Sequence, residues 1–234
     1  MYSFDSRIRY SECDETARLD YVALVNYLQD CSTFHTESMG LGLSYLAAHR
    51  FAWLIAAWQI KIVRRPRFLE HVTVSTWCYD MSRTLAQRCF SIVDGQGEPC
   101  VLADSIWFTY DTAAGRPCRI PDSEFAYLTD EPRLDLPKTE RKLKVTGDYV
   151  EATPIVIGPQ HLDTNKHVNN AQYVLMALSV LPEGFEPSRI CVQYKLQTME
   201  GETLVPRLYE EARGTVVELV DLEGETRAVV RLEA

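Results

Sequence analysis

The sequence predicts an α+β protein built as a tandem duplication, each copy an antiparallel sheet wrapped around one long central helix. Three observations carry this. A polar loop leading into an apolar helical pattern occurs twice, at residues 9–30 and 158–179. A strand-rich tail follows each helix, over residues 58–80 and 192–212. Each tail then runs through a Gly-bearing hairpin signal, VDGQGEPC in the first half and VDLEGETR in the second. One apolar helix per copy must bury its face, and a sheet wrapped around it is the natural solution.

In the first copy, RYSECDETARLDYVALVNYLQD places Tyr21, Leu24, Val25 and Leu28 at helical spacing. Gly40 and Gly42 supply a loop before the next strand. Then WQIKIVRRPRFLEHVTVSTWCYD lies over VQYKLQTMEGETLVPRLYEEA of the second copy, Gln59 on Gln193 and Lys61 on Lys195. Residues 121–146 are rich in Pro and charge and poor in apolar periodicity, so the join falls there. The predicted domains are 1–125 and 147–234, with a linker over 126–146. The second copy opens with the strand-prone EATPIVIG, then HLDTNKHVNNAQYV, with Val168, Ala171, Val174, Leu175 and Leu178 at helical spacing.

Composition narrows the function classes. A net charge of −9 argues against nucleic acid as the main partner. FAWLIAAW is too short for a membrane span, so no membrane insertion is expected. The opening residues lack a basic segment followed by an apolar core, which predicts a cytoplasmic protein. Seven scattered cysteines without CxxC pairs read as reduced thiols, and no metal or cofactor is expected.

The stretch 161–174 concentrates the chemistry. Asp163, Asn165, His167, Asn169 and Asn170 fall within eight positions, where a helix cap needs only one or two. Histidine changes charge near neutral pH and can take and return a proton. Asp163 and Asn165 can fix its tautomer or hold a carbonyl or a water. In the first copy Asp14 falls on Asp163, but Arg18 replaces His167. An Asp14–Arg18 salt bridge bracing the loop is the expectation there.

Across RYSECD, WQIKIVRRP, the VSTW strand, RCFSIVDGQG, SIWFTYD, HLDTNKHVNNAQYV and VQYKL, the chain resembles the acyl-acyl carrier protein thioesterases. The resemblance implies a double hotdog fold in cytoplasm or plastid. It also implies hydrolysis of fatty acyl-acyl carrier protein, which releases free fatty acid and terminates chain elongation. An acyl-coenzyme A thioesterase and a non-catalytic acyl-binding hotdog protein are the alternatives; the helix-entry DxNxHVNN layout does not resemble a hotdog dehydratase. Carried over, the catalytic set is Asp163, Asn165 and His167, with a fourth position on the strand after VQYK. Family members carry Glu there, followed by Cys or a small residue, where this chain has Gln197 and Thr198. Glutamine orients water but cannot accept its proton, and Glu200 or Glu202 could reach the site through a shifted register. Backbone N–H groups from His167 to Asn170, at the expected helix start, would stabilise the oxyanion.

The resemblance places the acyl pocket in the first copy, which holds all four tryptophans. Met39, Trp53 and Trp58, with Asn170 of the second copy, are the expected substrate-binding residues. An acidic carrier protein would dock on Arg64, Arg65 and Arg67, with Lys138, Arg141, Lys142 and Lys144 as a second basic stretch. Monomer and homodimer are both open.

Overall fold

The computed structural model describes residues 1–234. The chain divides into two compact units, Met1–Thr139 and Glu140–Ala234. In the first unit the strands are β1 (Tyr2–Arg7), β2 (Phe51–Ile62), β3 (His71–Met81), β4 (Ala86–Asp94), β5 (Pro99–Asp111) and β6 (Arg116–Cys118). They form an antiparallel sheet in the order β1-β3-β4-β5-β2, with β6 on the end of β5. Helix α1 (Tyr21–Ser38) packs on β1 and β3, and a short α2 (Leu43–His49) leads into β2.

Helix α1 forms because Asp20 caps it, Oδ1 accepting from Ala23 N at 2.7 Å. Its buried residues Leu24, Leu28, Cys31 and His35 recur at helical spacing and face the sheet. Gly40, at φ +71°, then turns the chain toward α2.

The second unit repeats this plan. Strands β7 (Val150–Glu151), β8 (Ile155–Val156), β9 (Arg189–Tyr194), β10 (Thr203–Glu211), β11 (Gly214–Val220) and β12 (Thr226–Glu233) are again antiparallel. Their order is β9-β12-β11-β10-β7, with β8 also on β10. Helix α3 (Asn170–Leu178) packs on β11 and β12 through Ala171, Val174 and Ala177. It has nine residues against the eighteen of α1. Pro182 and Gly184 follow closely, and neither lets a helix continue. No helix is long and apolar enough to cross a membrane.

Residues 126–139, expected in a linker, are folded into the first unit. Tyr127 and Leu136 are buried. Trp77 Nε1 donates to the Pro132 carbonyl at 2.9 Å and Gln59 Nε2 to that of Pro137 at 2.8 Å. Arg133 and Thr139 both reach the buried Asp104 carboxylate. Beyond the division, Leu143 is buried and its N–H donates to Gln193 Oε1 at 2.9 Å. Pro132, Arg133, Pro137 and Thr139 of the expected tether are therefore held by specific partners on the sheet.

The backbone also corrects the predicted overlay of the two tails. The Cys100 carbonyl accepts from Val63 N and Arg64 N, as the Arg227 carbonyl accepts from Lys195 N and Leu196 N. Leu19 N donates to Pro66 O, as Val168 N donates to Thr198 O. Arg65 thus corresponds to Gln197, and Lys61, not Gln59, corresponds to Gln193. The predicted overlay is two residues out, a slip that leaves every side chain on its own face of a strand and so passes unnoticed in an alternating pattern.

Candidate active site

The entry loops of the two units have one backbone design. In the second, Asp163 N donates to His167 O at 2.8 Å and Lys166 N to Asp163 O at 3.0 Å. Asp163 Oδ1 accepts from Asn165 N at 2.8 Å and His167 N at 3.2 Å. In the first, Asp14 N donates to Arg18 O, and Asp14 Oδ1 accepts from Thr16 N and Arg18 N. Lys166 and Ala17 take the same left-handed turn, at φ +62° and +57°. The aspartate shared by both copies is a loop brace, and it does not orient the imidazole of His167.

Asp14 pairs with Arg65, not with Arg18 as the sequence predicts. Arg65 Nη1 bonds Asp14 Oδ2 and the Leu19 carbonyl, and its guanidinium lies over the Tyr21 ring at 4.7 Å. Burial raises the Asp14 carboxyl, but bonds from Thr16, Arg65 and the backbone outweigh it and bring it down to about 2. Arg18 meets Asp14 through its own N–H. In the second unit Gln197 stands in place of Arg65, and Asp163 keeps Oδ2 free of any such lock.

The segment after β9 runs beside the histidine loop. His167 and Met199 form an antiparallel bridge, and Val168 N donates to Thr198 O at 3.0 Å. Residues opposite one another across a bridge share a face, and alternate residues of an extended segment do too. Gln197 and Met199, both exposed, therefore lie on the face of His167. Thr198 points the other way: it is fully buried, and its Oγ1 lies 2.9 Å from the Tyr173 hydroxyl. β9 ends at Tyr194, so Gln197 sits past the strand and not on it, contrary to the sequence reading.

The two glutamates named as alternatives lie elsewhere. Glu202 accepts from Met199 N at 2.5 Å and pairs with Arg227 at 3.0 Å. Glu200 is exposed in the following turn. Of the four choices, Gln197 is the one left facing His167 with its side chain uncommitted.

The predicted oxyanion donors are mostly spent. His167 N donates to Asp163, Val168 N to Thr198 O, and Asn169 N to His161 O at 2.9 Å. Ala171 N is taken by the capping Asn169 side chain at 2.8 Å. Asn170 opens α3, and its carbonyl accepts from Tyr194 Oη at 3.0 Å. Gln197, on the face of His167, carries a side-chain amide able to donate, and Asn165 is exposed in the turn of the loop. A glutamine offers an amide N–H that a glutamate at this position would lack.

In the first unit Met39 and Trp53 pack against one buried cluster. With Leu41, Met81, Trp107 and Phe125 they pack on the buried Cys78, Ala86, Ile120 and Tyr127. Trp53 Nε1 donates to the buried Glu124 at 2.7 Å. Trp58 is core, only 1% exposed, and packs on Phe90 and Trp107; it is not a pocket wall. All seven cysteines are free.

Two of the three predicted docking arginines are committed inside the unit. Arg65 is buried against Asp14, and Arg64 bridges Glu70 and Asp94 at 2.5 and 2.7 Å. Their charges are offset by these carboxylates, one for Arg65 and two for Arg64. Arg67 is exposed.

Two antiparallel sheets, each carrying one packed helix entered through the same braced loop, define a double hotdog protein. The loop of the second unit alone carries a histidine. The chain belongs to the acyl-ACP thioesterase family, residues 1–128 matching its N-terminal domain and residues 155–232 its C-terminal domain. It is 28% identical over 203 residues to an acyl-[acyl-carrier-protein] hydrolase of Cuphea viscosissima (FATB3, chloroplastic), covering 81% of this chain and 48% of that one. It is 25% identical over 187 residues to the chloroplastic oleoyl-acyl carrier protein thioesterase 2 of Arabidopsis thaliana, covering 73% and 50%. The chain spans about half the length of these curated relatives. An acyl-ACP thioesterase from Bacteroides thetaiotaomicron has the same fold, with a TM-score of 0.90 at 22% identity over 99% of this chain and 96% of that one. So does the 12:0-ACP thioesterase of Umbellularia californica, with a TM-score of 0.83 at 21% identity over the same shares.

Proposed function

We propose that this chain hydrolyses the thioester of fatty acyl-acyl carrier protein, releasing free fatty acid and ending chain elongation. The observation that carries the reading is the contrast between the two loops: the backbone is the same, but only the second has a histidine and an aspartate not locked by arginine. The His167 imidazole takes a proton from water as the water oxygen bonds to the thioester carbon. The amides of Asn165 and Gln197 donate to the carbonyl oxygen as its charge develops. The carbon–sulfur bond then breaks, and the imidazolium returns its proton to the departing thiolate. Asp163 holds the loop in shape through Oδ1.

The apolar cluster around Met39 and Trp53 is suited to hold the acyl chain. Arg67, with the exposed Arg141, Lys142 and Lys144, replaces the predicted trio as the cations open to an acidic carrier. Seven free thiols fit the reducing setting of cytoplasm.

The test is release of free thiol and free fatty acid from one acyl chain presented on carrier protein and on coenzyme A. Faster turnover of the carrier thioester is expected, and His167→Ala should lower kcat by about 10²–10⁴. Preference for the coenzyme A thioester would reassign the substrate. Tight acyl binding without thiol release would make the protein a binding module instead.

A further inference from the structure

Each unit ties its loop to its hairpin through two carboxylates and one arginine, but the arginine comes from different places. In the first unit Glu70 accepts from Arg67 N at 2.8 Å, and Asp94 Oδ1 accepts from Gln96 N and Glu98 N. Arg64, on the loop itself, joins the two acids. In the second unit Glu202 accepts from Met199 N, and Asp221 Oδ1 accepts from Glu223 N at 3.0 Å and Glu225 N at 2.8 Å. The joining cation is now Arg227 on β12, 3.0 Å from Glu202 and 2.9 Å from Asp221.

By the backbone correspondence above, Leu196 occupies the place of Arg64, and Arg227 occupies the place of Cys100. The exchange is reciprocal. Burial pushes the Cys100 thiol up to about 11, so the first unit has a neutral group where the second has its cation.

From β12 the arginine makes one bond that Arg64 does not, to the backbone of Gln197; its other ties have counterparts in the first unit. Arg227 Nη1 donates to the carbonyl of Gln197, and the Arg227 carbonyl accepts from Lys195 N at 2.9 Å and Leu196 N at 3.2 Å. Through Glu202 it also fixes Met199 N, the residue bridged to His167. Residues 195–202 are thereby held at several points along the edge of the histidine loop.

We infer that Arg227 is a positioning residue for the reaction: it sets where Gln197 stands relative to His167. This rests on the site reading proposed above. A displacement of about 1 Å in such a group costs on the order of 10²-fold in rate, and the relocated arginine prevents it without occupying the face that meets substrate.

The test separates positioning from stability. Arg227→Lys keeps a cation for Glu202 and Asp221 but cannot reach both them and the Gln197 carbonyl. A second variant, Leu196→Arg with Arg227→Cys, returns the arginine to the place it has in the first unit. Assayed well below each variant's Tm, both are expected to lose about 10- to 100-fold in kcat with KM changed by less than about threefold. The second variant should also recover the Tm lost in Arg227→Cys alone. Native kcat in Arg227→Lys, or kcat recovering together with Tm in the exchanged variant, overturns the inference. His167→Ala is run alongside. Turnover surviving in it sinks the site reading itself, whereas a dead His167→Ala with native-like Arg227→Lys removes only the role of Arg227.

Discussion

At the scale of single residues, Gln197 and Thr198 show how one step along an extended segment decides chemistry. The sequence left four candidates open for the position beside His167, because a strand reverses its face at each residue and the register could not be fixed. The Val168–Thr198 hydrogen bond fixes it, sending Thr198 into the core and Gln197 toward the histidine. The hydroxyl of Thr198 therefore serves Tyr173 and points away from the His167 face. Thr198→Val should leave the Tyr173 hydroxyl without its partner and cost about 1–3 kcal/mol of stability. Its kcat should stay native, as read by denaturant unfolding and steady-state turnover on the same sample. A fall in kcat beyond about tenfold, at intact folding, would bring Thr198 back into the site.

At the scale of elements, the two entry loops and both hairpins were legible because their cues are local: turn residues, capping side chains and helical spacing. What escaped was the set of contacts made between distant positions. The overlay of the tails slipped by two residues because an alternating pattern is blind to even shifts. The buried Arg88 of β4 escaped for the same reason. Its Nη1 lies 3.1 Å from both His35 Nδ1 of α1 and Thr76 Oγ1 of β3, and its guanidinium lies over the Tyr127 ring at 5.4 Å. Burial first, and the Arg88 charge second, bring His35 down from 6.5 to about 4. The folded state thus holds His35 neutral where the unfolded chain would protonate it. The stability this contributes is present above about pH 6.5 and is lost as pH falls toward 4. Thermal unfolding followed across that window should show Tm falling with pH. His35→Gln should flatten that part of the profile, and an unchanged slope in this variant would mean that other groups carry it.

At the scale of the whole chain, duplication supplies an internal control. One loop design has been kept twice, and the differences between the copies separate bracing from chemistry. In the first unit Arg65 takes the second oxygen of Asp14 and buries itself, so the loop is locked. In the second unit the corresponding residue is Gln197, so Asp163 has no such lock, and Arg227, which does the joining done by Arg64 in the first unit, holds the Gln197 carbonyl. The sequence displayed the substitution of His167 for Arg18 openly. It concealed the exchange of arginines, because partners such as Arg65 and Asp14 lie 51 residues apart and no spacing rule connects them. The exchange leads to a prediction opposite in sign to most active-site mutations. Gln197→Arg should let the second unit adopt the lock of the first, with the new guanidinium on Asp163 Oδ2 and the Val168 carbonyl. Stability should hold or rise, since the first unit shows that the loop accommodates this pair. Activity should fall by about 10²-fold or more, because an amide donor is lost and the face beside His167 is filled. Turnover and Tm measured together decide it: a variant that is both stable and active would mean that Gln197 and the free oxygen of Asp163 have no part in the reaction. A variant that is inactive and at least as stable as the parent would show that releasing this lock is what separates the working copy from its twin.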